Sequence, residues 1–176
     1  MKKQIILSFV CILISLLIIQ CEREKLTDIT VTPGPIITNP EFNANETAII
    51  EQDIFNTVNQ YREENNLNLL IWSNTISKQC RYHSNDIALG NIPFGHDGIE
   101  KRFEQIKHNF PNAAGTELIY QQNSGYQFSE KAVNFWKNNQ NSSQALTGNF
   151  QRSGIGVAKS ESGYYIVTII LISQID

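Results

Sequence analysis

The stretch that decides the fold is a pair of apolar segments close to the C-terminus. Residues 154–158 are Gly-Ile-Gly-Val-Ala, residues 161–163 are Glu-Ser-Gly, and residues 164–172 are Tyr-Tyr-Ile-Val-Thr-Ile-Ile-Leu-Ile. The last segment is almost continuously apolar and rich in β-branched residues, which is typical of a strand buried on both faces. We therefore predict a β-hairpin whose second strand lies in the centre of a sheet.

Three longer helices are predicted upstream, because apolar residues recur there at helical spacing. The first spans about Thr47 to Asn66, the second follows Ser73, whose hydroxyl can cap a helix, and the third spans Glu130 to about Asn138. A short helix is predicted over residues 99–107. The predicted buried stripes are Ile50, Ile54, Val58 and Tyr61 in the first helix, Ile76, Cys80, His83 and Ile87 in the second, and Ala132, Val133 and Trp136 in the third.

One more strand is predicted over residues 115–121, where Glu117 is followed by three apolar residues before Asn-Ser-Gly at 123–125. Residues 138–143 are polar throughout and are predicted to form a loop. Helices thus come first and strands gather towards the end of the chain. This order predicts an α+β fold with helices packed on a mostly antiparallel sheet of about three to four strands.

The N-terminus has the features of an export signal. Two lysines precede an apolar run from Ile5 to Ile19, which is too short for a stable membrane span. Leu17 upstream of Cys21 resembles the bacterial lipobox, in which the cysteine becomes acylated. We predict a lipoprotein-type signal peptide over residues 1–20, a flexible tether over 21–46 and a folded domain over 47–176. The alternative is an ordinary signal peptide, or an uncleaved anchor, with an incidental Cys21.

Charge and cysteine usage narrow the function classes. The formal net charge is −3 and no cluster of lysine and arginine occurs, which argues against nucleic acid as a partner. Cys11 lies in the signal and Cys21 is the predicted lipidation site, so Cys80 alone remains in the folded domain and no disulfide can form within it. None of the common catalytic motifs, such as Gly-x-Ser-x-Gly or His-Glu-x-x-His, is present.

Between Ile50 and Ile172, several short motifs follow one another in a specific order. They are Asn59-Gln60-Tyr61-Arg62, Leu69-Leu70-Ile71-Trp72-Ser73, residues 80–88, Phe94-Gly95-His96-Asp97-Gly98 with Arg102-Phe103, Ala114-Gly115-Thr116-Glu117, and Trp136 with Phe150 and residues 154–156. In this order they resemble the CAP superfamily (cysteine-rich secretory, antigen 5 and pathogenesis-related 1 proteins, with the SCP-like domain) in its bacterial form.

The resemblance implies a three-layer α–β–α sandwich with a central cleft. In the family this cleft typically holds two histidines and acidic residues that can bind a divalent metal such as zinc. The first histidine corresponds to His96 and the acidic residue of the strand motif to Glu117. The second histidine falls near Ser142, and no histidine follows His108. The resemblance therefore implies a degenerate site at His96 and Glu117, either catalytic or metal-binding.

A catalytic zinc site usually takes three protein ligands, of which His96 and Glu117 supply two. A third would have to come from Ser142, Asp97, His83 or another acid. We therefore favour a hydrogen-bonded His96–Glu117 pair over a metal centre, and expect no firmly bound cofactor.

The resulting prediction is an exported, lipid-anchored and monomeric binding module at the cell envelope. Its cleft would take a small lipid, a peptide or a glycan, and the membrane would be contacted through Cys21. A structural or adhesion role for the Asn- and Gln-rich surface is a second possibility. The alternative is a peptidase-like cleft hydrolase in which His96 and Glu117 act on water, with or without a metal. The missing histidine favours a protein that is not an enzyme.

Overall fold

A computed structural model describes residues 40–174, with side chains described for residues 45–173. Cys21, the signal peptide and most of the predicted tether lie outside the described residues. Five helices and four strands make up the described part. In chain order they are α1 (Pro40–Glu64), β1 (Ile71–Trp72), α2 (Asn74–Ala88), α3 (Ile99–Lys107), β2 (Ala113–Gln122), α4 (Phe128–Asn138), α5 (Gln140–Thr147), β3 (Arg152–Lys159) and β4 (Tyr165–Gln174).

The four strands form one mixed sheet in the order β1-β3-β4-β2. β4 pairs antiparallel with both β3 and β2, while the short β1 pairs parallel with the start of β3. The central position of β4 and its hairpin with β3 confirm the prediction made from residues 154–172. The mostly antiparallel sheet is confirmed as well.

Helices cover both faces of this sheet, so the three-layer α–β–α arrangement is confirmed. Successive residues of a strand point to opposite faces. Val167, Ile169 and Leu171 of β4 pack with residues of α1, α4 and α5, including the fully buried Trp136. On the other face, Ile170 and Ile172 pack with residues of α2 and α3, namely Ile76, Cys80 and Ile106.

Helix α2 lies directly against the backbone of β3, and two glycines make this approach possible. A Cβ atom at Gly156 would lie 2.1 Å from the backbone nitrogen of Arg81, and one at Gly154 would lie 2.2 Å from that of Ser77. In the same contact, Ser84 Oγ donates to the Gly156 carbonyl at 2.8 Å. The contact holds α2 at a fixed height above the sheet.

Two elements differ from the predictions. α1 begins at Pro40 rather than near Thr47, and proline suits a first helical position because its fixed φ matches the helix. Residues 140–147 form α5, although residues 138–143 were predicted as a loop. Asn139 separates α4 from α5 and caps α5, because its side chain accepts from the N–H groups of Asn141 and Ser142. Among residues 40–174, none of the helices combines the length and apolar content of a membrane span.

Candidate functional site

The two predicted site residues come from different elements and meet on one face of the sheet. His96 lies in the loop between α2 and α3, and Glu117 lies in β2. Glu117 is paired in register with Ile170, whose side chain faces α2 and α3. Glu117 therefore points towards these helices and away from the larger apolar core.

A third residue, Arg102 of α3, completes this group. Arg102 Nε donates to Glu117 Oε2 at 2.7 Å, and Arg102 Nη2 donates to Glu117 Oε1 at 2.7 Å. His96 Nδ1 lies 2.8 Å from Glu117 Oε1. The remaining terminal nitrogen of Arg102 donates to the carbonyl of Asp97 at 2.7 Å, which fixes the loop that carries His96. We call these three residues the Arg102–Glu117–His96 cluster.

The cluster leaves one ring nitrogen of His96 available. The side chain of Glu117 is fully buried, whereas that of His96 is 51% exposed. A carboxylate only accepts hydrogen bonds, so Nδ1 donates in this contact, and in the neutral ring Nε2 keeps a lone pair. The arrangement can therefore present an oriented imidazole to a ligand, as an acceptor or as a base.

His83 lies beneath the cluster as a buried neutral histidine. Its Nδ1 is 2.9 Å from Thr168 Oγ1 and 3.9 Å from Glu117 Oε2. Burial lowers the pKa of His83, and the nearby Glu117 carboxylate only partly opposes this effect. A neutral ring forms no ion pair with Glu117, so we assign His83 to the core. Its Nε2 atom has no hydrogen-bond partner within the described part of the chain.

The other predicted contributors stay apart from the cluster. Ser142 lies in the first turn of α5, a helix whose Leu146 packs in the core on the opposite face of the sheet from Glu117. Asp97 contributes its backbone carbonyl to Arg102. The hydrogen bonds and ion pairs of the cluster include neither side chain.

These residues do not fit a zinc centre. Among residues 45–173, no group of three or more His, Cys, Asp or Glu side chains is arranged to hold a metal ion. Arg102 contacts both oxygens of Glu117, so a guanidinium already occupies the side of the carboxylate where a cation would bind. Metal binding by His96 and Glu117 stays an untested prediction that this geometry does not favour.

Sequence reasoning missed the role of Arg102. In the short helix predicted over residues 99–107, helical spacing puts Arg102 on the same side as Ile99, Phe103 and Ile106. A charged residue on such a side is a signal in itself, because arginine is rarely buried without a partner. The acid on the neighbouring predicted strand, Glu117, was the available candidate.

The Asn-x-x-Arg motif of α1 is structural. Arg62 is 1% exposed and donates to the backbone carbonyls of Asn68, Leu146, Gly148 and Phe150. Asn59 bonds both backbone groups of Leu70. The motif therefore ties α1 to the chain before β1 and to the loop after α5.

Two open grooves adjoin β2 on either side of Glu117. The Gln121 groove has a volume of about 630 Å³ and is lined by Ile87, Ala88, Leu89, Gly90, Gln121, Ser160, Glu161, Ser162, Tyr164 and Ile166. The Gly115 groove has a volume of about 470 Å³ and is lined by Ile99, Glu100, Phe103, Glu104, Lys107, Ala113, Ala114 and Gly115. His96 lines neither groove, and Glu117 lies between the two grooves along β2. The central cleft at His96 stays a prediction.

Two solved structures with a similar fold are of proteins described as extracellular or as located on an outer surface. An extracellular protein containing an SCP domain from Bacillus anthracis is 25% identical, with a TM-score of 0.61 over 78% of this chain and 44% of that chain. An outer surface protein from Borrelia burgdorferi is 16% identical, with a TM-score of 0.61 over 72% of this chain and 94% of that chain. This chain thus spans less than half of the Bacillus protein and nearly all of the Borrelia protein.

A comparison with curated proteins gave no match. The family described as the cysteine-rich secretory protein family, CAP, matches residues 55–172, which include α2, α3, β2 and the whole Arg102–Glu117–His96 cluster. The sequence motifs, the three-layer fold and this match agree, and the chain belongs to the CAP family.

Proposed function

We propose that this chain is an exported CAP-domain protein that acts as a non-catalytic binding module at the cell envelope, held there by a lipid on Cys21. The observation that carries the proposal is the state of Glu117. Its two oxygens are engaged by Arg102 and His96, and its side chain is closed to solvent. A carboxylate in this state supports its neighbours and is not free to act on water or to bind a metal.

The cluster suits recognition because it holds one polar group rigidly at the surface. Arg102 fixes Glu117, and Glu117 fixes the ring of His96, so little conformational freedom of His96 is left to lose when a ligand binds. The side chain of His96 is half exposed, so Nε2 of the neutral ring can accept a hydrogen bond from a ligand N–H or O–H group. Affinity would come from the surfaces around it.

The envelope location is supported by the predicted signal and by the descriptions of the similar proteins, one extracellular and one from an outer surface. Palmitate labelling in cells tests the anchor. Labelling is expected in the wild-type protein and lost in Cys21→Ala. Equal labelling of both proteins would refute the anchor.

A matched pair of histidine variants tests the binding function. His108 is exposed and follows α3, outside the cluster, so His108→Ala is the control for His96→Ala. The lipid is removed first, because it would bind envelope fragments by itself. We expect the Cys21→Ala variant to sediment with isolated envelope fragments, unchanged by EDTA. In this background His96→Ala should weaken the binding, whereas His108→Ala should not. Casein and p-nitrophenyl acetate should show no turnover above background. Turnover that disappears in His96→Ala and persists in His108→Ala would overturn the non-catalytic assignment.

One observation favours a hydrolase as the second candidate. His96 Nδ1 contacts a carboxylate and the ring is half exposed, so Nε2 could act as a general base. Within residues 45–173, however, no serine, threonine or cysteine side chain is hydrogen-bonded to His96. Water would have to be the nucleophile. In that case Glu117→Gln, with folding intact, should lower the turnover strongly, and an unchanged rate would rule this candidate out.

A further inference from the structure

We propose that the outer edge of β2 binds an extended peptide with basic side chains, which adds a strand to the sheet beside His96. This inference rests on the proposed binding function and names its ligand class. Backbone hydrogen bonds along the edge would supply affinity, and the two grooves beside β2 would select side chains.

The pairing pattern identifies which groups of β2 point outward. Ser153 of β3 bonds to the chain at β1, because Ser73 N–H donates to the Ser153 carbonyl. Alternate residues of an antiparallel strand form their backbone hydrogen bonds with opposite neighbours. Even-numbered residues of β3 therefore bond to β4, odd-numbered residues of β4 bond to β2, and even-numbered residues of β2 bond back to β4. The N–H and C=O groups that face away from the sheet then belong to Gly115, Glu117, Ile119 and Gln121.

An independent contact agrees with this assignment. Trp136 Nε1 donates to the carbonyl of Ile119 at 3.0 Å, which is one of the outward groups. Within the described residues, no hydrogen bond from outside the sheet reaches the outward N–H groups of Gly115, Glu117, Ile119 or Gln121. These four N–H groups therefore have no partner among the described residues, whereas the Ile119 carbonyl already accepts from Trp136.

The two edges of the sheet differ in how they are protected. Beyond Ser153, the outer side of β3 is covered by helix side chains, because Ser77 Oγ accepts from Ile155 N–H and Glu51 Oε1 accepts from Val157 N–H. β2 is ten residues long and pairs with β4 without a bulge. It contains no proline, lysine or arginine, the residues that commonly prevent an exposed edge strand from pairing with another strand. Its one charge, on Glu117, is compensated by Arg102.

The surroundings of the edge match an extended chain. Gly115, Glu117 and Gln121 are separated by even numbers of residues, so they lie on one face of β2, towards α2 and α3. Gly115 lines one groove and Gln121 the other, with the His96 contact at Glu117 between them. The span from Gly115 to Gln121 is about 20 Å at the usual rise of a strand. A peptide of about seven residues would cover it.

The charges at the grooves favour basic side chains. Glu161 is the one charged residue that lines the Gln121 groove, and Glu100 and Glu104 outnumber Lys107 in the Gly115 groove. The apolar lining, which includes Leu89 and Phe103 in these two grooves, can contact the aliphatic stem of lysine or arginine while the charged head meets a glutamate. Basic residues at both ends of the peptide would therefore be preferred.

The probe is the blocked heptapeptide Lys-Val-Thr-Val-Thr-Val-Lys, titrated against the full chain in mild detergent by fluorescence anisotropy. Gln121→Pro removes one outward N–H and leaves the pairing with β4 intact, since proline is tolerated on the free side of an edge strand. We expect Gln121→Pro to weaken binding about tenfold and Gln121→Ala, which keeps the N–H, to bind within about twofold of wild type. Glu161→Lys should weaken binding of this peptide as well.

N-methylated peptides test the pairing without changing the protein. In an antiparallel arrangement with the lysines facing the grooves, the amides of the threonines bond to β2 and those of the valines face solvent. Methylation of the two threonine amides should abolish binding, and methylation of the valine amides should leave it. Equal binding of both peptides, or equal binding to wild type and Gln121→Pro, would overturn the inference.

Two further outcomes separate this inference from the proposed function. If Gln121→Pro converts a dimer into a monomer in sedimentation velocity and the peptide does not bind, the edge pairs with a second copy and the peptide inference fails. If envelope binding depends on His96 but no peptide binds, the proposed function stands and the peptide inference alone fails. If Gln121→Pro loses envelope binding, and the peptide competes with envelope binding of the wild-type protein, both proposals are supported.

Discussion

Replacing Arg102 by methionine should destabilise the fold strongly. The side chain of Arg102 is 10% exposed and that of Glu117 is fully buried, so the variant leaves a buried carboxylate whose one remaining partner in the cluster is the half-exposed His96. Two charge-assisted hydrogen bonds of 2.7 Å are lost, each contributing about 1.5–3 kcal/mol. This agrees with the cost of about 3–5 kcal/mol for removing one partner of a buried pair. We therefore expect the free energy of unfolding to fall by about 3–5 kcal/mol.

Urea unfolding followed by circular dichroism measures this change. Lys159→Met is the matched control, because Lys159 and Glu46 form an ion pair at 3.5 Å with both side chains about one-third exposed. Its expected cost is about 0–1 kcal/mol. Combining Arg102→Met with Glu117→Leu should recover part of the loss, since no buried charge then remains. A cost for Arg102→Met equal to that of the control would refute the reasoning.

Four further predictions follow from the described contacts. Arg62→Met should cost about 3–5 kcal/mol in urea unfolding, because four backbone carbonyls lose a buried charged donor; a loss below 1 kcal/mol would contradict this. Gly156→Ala should abolish the cooperative thermal transition, since its Cβ would lie 2.1 Å from a backbone nitrogen of α2, whereas Gly95→Ala, with open space, should melt like wild type. Burial lowers the pKa of His83 below 6.5, so the unfolded chain binds a proton at this residue more readily than the folded chain does. The free energy of unfolding should therefore fall as the pH drops below 6.5. His83→Gln should remove this part of the pH dependence, and a pH profile identical to that of the wild type would count against it. Burial raises the pKa of the Cys80 thiol, so iodoacetamide should label it only in urea, and rapid labelling of the native protein would show that it is not enclosed.

The strongest patterns in the sequence predicted most of the fold. The apolar run from Tyr164 to Ile172 predicted a strand that is buried by apolar layers on both faces. The structure has helices packed on both faces of this strand. Helix α5 was missed because residues 140–145 carry no apolar period. That helix depends on the cap at Asn139 and on the buried Leu146, and the cap depends on where α4 ends.

The candidate site was predicted only in part. His96 and Glu117 were identified by resemblance, and their contact at 2.8 Å agrees with the favoured hydrogen-bonded pair. The pairing of Arg102 with Glu117 depends on the packing angle between α3 and β2, which sequence spacing does not encode. Gly115, Glu117 and Gln121 are separated by even numbers of residues, which places them on one face of the strand predicted over residues 115–121. That their backbone groups face outward follows from strand order, which residue patterns do not determine.

The contrast between the two edges of the sheet limits how this protein can assemble. Pairing between edges forms open fibres when a molecule offers two compatible edges, because each added copy presents a new one. Here Ser77 and Glu51 close the outer side of β3, and β1 beside it is only two residues long, so a molecule joined through β2 has no second edge of comparable length to offer. Any assembly through the sheet must therefore stop at one partner per molecule. A protein crowded against its own copies would in this way keep an open edge strand without the hazard of polymerisation.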